Sequence, residues 1–180
     1  MNIKRQHLIA FIISTTILVF ASGHALGLDA KTTRNLSSIN LEITTHLGDQ
    51  QNFVDQDLIS FFISLDQDAY LYLFYQDAKG DIYQLIPGIA QVDNFYKSGI
   101  YIPFPSEKSS FQFYVQEPYG KEIIWVYASD QGNIKFKAYN TNNTIKQIKL
   151  NLSEIENKIA ASSRKLYDRS NTVIHTKKQH

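Results

Sequence analysis

Residues 69–88, AYLYLFYQDAKGDIYQLIPG, place five aromatic rings in twenty positions. Tyr70, Tyr72 and Phe74 alternate with Leu71, Leu73 and Tyr75, and a strand sends successive side chains to opposite faces. Asp77-Ala78-Lys79-Gly80 carries turn residues, and Ile82 to Ile86 resumes the apolar pattern. The stretch therefore predicts a β-hairpin with two apolar faces, the signature of a central strand or of a face covered by another element. Tyr70, Tyr72 and Phe74 share one face and Tyr75 takes the other, while Tyr83 on the return strand faces either way depending on register.

The same period of two extends in both directions. Ile39, Leu41 and Ile43 precede the hairpin, as do Ile59, Phe61, Ile63 and Leu65. Further strands are expected at 100–102, 111–115 and 123–128, with a late pair at 134–138 and 145–150. Asp66-Gln67-Asp68, Pro87-Gly88, Lys97-Ser98-Gly99, Pro118-Tyr119-Gly120 and Asp130-Gln131-Gly132-Asn133 supply the turns. Many short strands separated by such turns predict an all-β fold, an antiparallel β-sandwich of immunoglobulin-like or related type, with a barrel as the alternative.

The two ends differ from the body. MNIKRQ, the apolar run Leu8 to Ala21 and Gly23-His24-Ala25 follow the layout of a secretory signal peptide over residues 1–25. The run is shorter than the roughly 18 to 20 residues a membrane-spanning helix needs. Residues 26–38 read as a flexible lead, and 39–150 as the sandwich domain. From Asn151 to Asp168 the pattern turns helical. Ser153 and Glu156 fit a capping box, and Leu152, Ile155, Ile159 and Leu166 form a narrow apolar stripe. Residues 169–180, RSNTVIHTKKQH, read as a disordered tail.

Composition narrows the chemistry. Residues 26–150 hold ten Lys and Arg against fourteen Asp and Glu, and residues 151–180 hold six against three. The body lacks the concentrated basic patch of a nucleic-acid binder. The chain has no Cys, so an exported form relies on burial and hydrogen bonding rather than disulfides. Beyond the leader the histidines are His46, His175 and His180, and no Gly-x-Ser-x-Gly elbow, His-Glu-x-x-His motif or glycine-rich phosphate loop is present. Asp55, Asp57, Asp66, Asp68, Asp77 and Asp81 sit in turns without completing a twelve-residue calcium loop. No metal, cofactor or catalytic set is expected from these patterns.

Order and spacing from Ile59 to Ser129 carry a family likeness. Its parts are Asp68-Ala69-Tyr70-Leu71-Tyr72-Leu73, the Asp77 to Gly80 turn, Gln84-Leu85-Ile86-Pro87, Asn94, Gly99, Ile102-Pro103 and Glu117-Pro118-Tyr119-Gly120-Lys121-Glu122. This stretch resembles the bacterial family called domain of unknown function forty-three eighty-four. The resemblance implies a small β-rich module, exported alone or fused to signalling and peptidase domains, with an accessory or sensing role and no catalytic residue to carry over.

The functional expectation is an exported, non-enzymatic module, periplasmic or secreted, that binds another protein of the cell envelope. Tyr70, Tyr72, Phe74 and Tyr83 are the candidate binding face, and Ile155, Ile159 and Leu166 the candidate partner helix. Core packing of the rings, and a helix that closes the sandwich, are the plainer readings of the same residues. One alternative is a carbohydrate-binding module that stacks sugars on Tyr and Trp. A second is a carboxylate-dependent envelope enzyme using Glu107, Glu117 or Glu122.

Overall fold

The computed structural model describes residues 38–48, 52–89, 91–109, 111–141 and 145–179, all within the compact unit Thr33–His180. The expected signal peptide, and the lead as far as residue 37, lie outside the described residues. In chain order the elements are β1 (Leu41–Thr45), β2 (Asn52–Val54), β3 (Leu58–Ile59), β4 (Phe61–Leu65), β5 (Ala69–Gln76), β6 (Ile82–Ile86) and β7 (Phe95–Tyr96). They continue with β8 (Ile102–Phe104), β9 (Phe113–Tyr114), β10 (Lys121–Ser129), β11 (Ala138–Thr141), β12 (Lys146–Ile148), α1 (Leu152–Ser162) and β13 (Tyr167–Lys177).

The fold is a β-sandwich rich in antiparallel pairs, with one helix near the C-terminus. The large sheet runs β11-β12-β6-β5-β10-β13-β2, with β7 beside the start of β5; a small sheet runs β1-β4-β8, and β3 pairs with β9. Among the described residues every strand pairing is antiparallel except β13 with β2.

The 69–88 stretch forms the hairpin its pattern predicts. Asp77 Oδ1 accepts from the backbone N–H groups of Lys79 and Asp81, each at 2.9 Å, and Gly80 takes a φ of 91° that favours glycine. A bulge shifts the ladder so that Leu73 faces Ile86 and Phe74 faces Gln84. Tyr75 then stands opposite Tyr83, which places Tyr83 on the Leu71, Leu73 and Tyr75 face.

Both faces of β5 are covered. Leu71 and Leu73 join Ile124, Val126, Phe61, Ile63 and Ile174 in a core between the two sheets. Full burial of each such side chain stabilises by roughly 1.5–3 kcal/mol. Tyr72 and Phe74 join Tyr127, Ile134, Phe136, Ile155 and Ile159 in a second core between the large sheet and α1. Ile134 and Phe136 belong to no strand, although their alternation predicts one; the segment is tied to the sheet when the Tyr72 hydroxyl donates to the Gln131 carbonyl and accepts from the Ile134 N–H.

Two expectations about the C-terminal region are overturned. The helix starts at Leu152 and ends at Ser162, and its capping box is Asn151 with Glu154 rather than Ser153 with Glu156. Asn151 Oδ1 accepts from the Glu154 N–H at 2.9 Å and Glu154 Oε2 from the Asn151 N–H at 2.8 Å. Both residue pairs have the required spacing, and Asn is as strong an N-cap as Ser. Ser163 ends the helix: its hydroxyl meets that of Ser129 at 2.7 Å in the interior. The Asp130 carboxylate then takes the N–H groups of Arg164 and Lys165, turning the chain back. Leu166 is therefore off the helix and buried in the core between the sheets.

The second correction concerns residues 169–180. Instead of a disordered tail, the chain forms β13 from Tyr167, eleven residues inserted between β10 and β2. Thr172, Ile174 and Thr176 alternate into the interior, while Asn171, His175 and Lys177 are exposed. β-Branched residues at period two suit a pleated, half-buried strand even when two of the three are polar.

Candidate functional site

The residues expected to form a recognition face do not form one. Tyr72 and Phe74 are 0% exposed, sealed beneath α1 and Phe136. Tyr70 is half-buried on that side against Phe95 and the backbone of Gly132, while Tyr83 lies on the opposite face. Ile155 and Ile159 are also 0% exposed and turned toward the sheet, and Arg169 of β13 pairs with Glu156 of α1. These side chains thus pack the helix onto the sheet. Trp125 lies half-buried on the helix side of β10, with its ring nitrogen buried and unpaired.

The other face of the hairpin opens into a cleft of about 400 Å³. β5 and β6 supply Tyr75 and Tyr83, whose rings stack with centroids 5.9 Å apart. The stretch around β9 supplies Phe111, Gln112, Phe113, Tyr114, Gln116 and Glu117, and β10 supplies Glu122. Phe113 meets Tyr75 edge-on at 5.1 Å, an arrangement that sets a positive ring edge against a negative face. Tyr114 is 43% exposed, so one wall reaches the surface.

Glu122 is the chemically distinctive group. It is 3% exposed, and both its oxygens accept from hydroxyls: Oε2 from Tyr75 at 2.7 Å and Oε1 from Thr176 at 2.6 Å. Burial pushes its carboxyl above the usual range against the opposing effect of the two hydroxyl donors, and the charge of Asp77 pushes it further. Burial and the neighbouring Glu122 likewise hold the Tyr75 phenol well above its ordinary value. Asp77, also buried, lines the cleft; burial and then the charge of Asp77 raise the Tyr83 phenol above its ordinary value. Among the described residues the lining contains three carboxyls and no Lys, Arg or His.

Of the three glutamates considered for catalysis, Glu117 and Glu122 line this cleft and Glu107 stands exposed in the turn after β8. The turn aspartates are engaged locally: Asp57 caps Val54, Asp66 accepts from Asn40, and Asp68 pairs with Lys97 at 3.0 Å and accepts from Ser98. Those contacts hold the Asp68 carboxyl below its ordinary value. Among the described residues no group of three or more His, Asp or Glu is placed to hold a metal ion. His46 is exposed and accepts from the Ser60 N–H through Nδ1 at 3.3 Å.

Residues 52–132 match the model of a family described as Domain of unknown function (DUF4384). That part of the chain is a domain of this family. The DUF4384 stretch runs from β2 past the end of β10 and contains every residue of the cleft lining except Ile145. Thr176, which holds Glu122, comes from β13 beyond it. Neither the curated proteins nor the solved structures give a match to this chain. Sequence reasoning named Glu117, Glu122 and Tyr83 separately but did not join them; the signal was the hairpin itself, which fixes Tyr83 opposite Tyr75 once the bulge is known.

Proposed function

We propose that this chain is an exported, non-enzymatic interaction module of the bacterial cell envelope, which holds another envelope protein at the Tyr75–Tyr83 cleft. The leader-like residues 1–25 support export. The observation that carries the binding role is the cleft: a concave site of small-ligand size, walled by aromatic rings with a few converging polar groups, is the usual form of a recognition site. A protein partner is favoured by the connection between β6 and β8, where Val92, Phe95, Ile100 and Tyr101 are exposed. Large apolar side chains left in solvent there are available to a partner's surface. The hydroxyls of Tyr75 and Thr176 each donate to one oxygen of Glu122, which fixes this carboxyl in the cleft wall and leaves it further acceptor capacity. Crosslinking in intact cells followed by mass spectrometry tests the proposal. One recurrent envelope protein is expected, lost when Tyr83 and Tyr101 are replaced; a chain that crosslinks to nothing overturns it.

The second reading is a carbohydrate-binding module, favoured by Gln112 and Gln116 beside the exposed ring of Tyr114. Amides and carboxyls that hydrogen-bond hydroxyls while a ring stacks on the sugar face would serve that purpose. Titration with peptidoglycan fragments and cell-wall polysaccharides decides it, and absence of binding by all of them removes it.

A further inference from the structure

We propose that the cleft binds an alkylammonium group, carried either by a free amine or by a lysine side chain of the partner protein. The inference rests on the cleft being the recognition site and adds the chemistry of what enters it. A cavity of about 400 Å³ holds a short aliphatic chain with a charged head. Its walls include Tyr75, Tyr83 and Tyr114, and the face of an aromatic ring attracts a cation within about 6 Å of its centroid. The same lining carries the carboxyls of Asp77, Glu117 and Glu122 with no basic side chain among the described residues, so the field these groups set up in the cleft has one sign.

Glu122 is the most buried of the three carboxyls. Its neighbours Tyr75 and Thr176 are neutral donors, which leaves a buried carboxyl without a countercharge among its hydrogen-bond partners. An ammonium group in the cleft provides that countercharge, and its three N–H donors suit an acceptor-rich wall. Aromatic walls contribute nothing to coordinating a hard metal ion, which takes oxygen ligands. A neutral sugar would gain from the rings and amides but leave the charge of the site unanswered.

Isothermal titration calorimetry of the purified chain at pH 7.5 tests this with four probes: 1,5-diaminopentane, acetyl-Gly-Lys-Gly-amide, the same peptide with norleucine in place of lysine, and the disaccharide of N-acetylglucosamine. Binding of the diamine or the lysine peptide is expected, with none by the norleucine peptide or the disaccharide. Diamine alone identifies a free amine as the source, and the lysine peptide identifies a side chain. Tyr83→Leu and Glu117→Gln, both at partly or fully exposed positions, are each expected to weaken binding about tenfold, the upper range for a cation over a ring and of similar size for a charge pair. The proposal is overturned if the norleucine peptide or the disaccharide binds as well as the cations. It is equally overturned if neither cation binds at millimolar concentration to a chain with native circular dichroism. Cellular crosslinking that survives Glu117→Gln while no cation binds would retain the partner and discard the ammonium.

Discussion

The hydroxyl of Tyr75 on β5 donates to Oε2 of Glu122 on β10 at 2.7 Å. The register sets Tyr75 opposite Ile124, so Glu122 is its diagonal neighbour on the same face, within reach of a long side chain. Removing the hydroxyl strands an acceptor that burial has already made costly. Tyr75→Phe is expected to lower stability in urea unfolding by about 1.5–3 kcal/mol at neutral pH, the range for a hydrogen bond to a charged group. In a Glu122→Gln background the same replacement should cost less, because the acceptor is then neutral. Equal costs in both backgrounds would show that the hydroxyl does not serve the carboxylate.

The raised pKa of Glu122 gives stability a direction in pH. Between the carboxyl's unfolded value and its higher folded value, the folded chain holds the proton and the unfolded chain does not. Stability from this group is therefore present below the unfolded value and declines as pH rises through the folded one. Glu122→Gln keeps the shape and one acceptor, and its amide can donate to a hydroxyl oxygen. Calorimetric scans from pH 4 to 8 should show the variant melting above the parent near neutrality, with the difference closing toward acid. A difference that widens toward acid would reverse the assignment.

Tyr72 shows how one hydroxyl fixes a segment that is not a strand. It donates to Gln131, accepts from Ile134 at 3.2 Å and sets its ring edge-on to Phe136. Tyr72→Phe keeps the ring and leaves a buried N–H and a carbonyl unpaired, at an expected cost of about 1–3 kcal/mol. Hydrogen exchange should place the loss locally, with faster exchange at Ile134 than in β10. Unchanged exchange at Ile134 would mean that other contacts hold the segment.

The parts of the fold legible in the sequence were those where one face is uniformly apolar. Leu71, Leu73, Phe61 and Ile63 alternate cleanly, and the two-faced β5 correctly implied a covered strand. Coverage of its second face by α1 is also why Tyr72 and Phe74 are core residues: a ring's sequence neighbours do not reveal which element lies above it. The candidate site was legible only in fragments. Tyr75, Phe113 and Glu122 come from three elements separated by more than thirty residues between β5 and β9. Thr176 lies further on still, in residues whose polarity hid a strand.

That last strand gives the most direct test. β13 separates β10 from β2 in the large sheet, buries Ile174 and delivers Thr176 to Glu122. Its loss would expose the full edge of β10 and open the core between the sheets. A chain ending at Asp168 is therefore expected to be insoluble, or to lack a cooperative unfolding transition. A chain ending at Lys177 keeps every paired residue of β13 and should melt within a few degrees of the parent. Soluble expression, circular dichroism and thermal melting of the two truncations decide it. A cooperative fold in the shorter chain would mean that β13 adds to the sheet without being required by it.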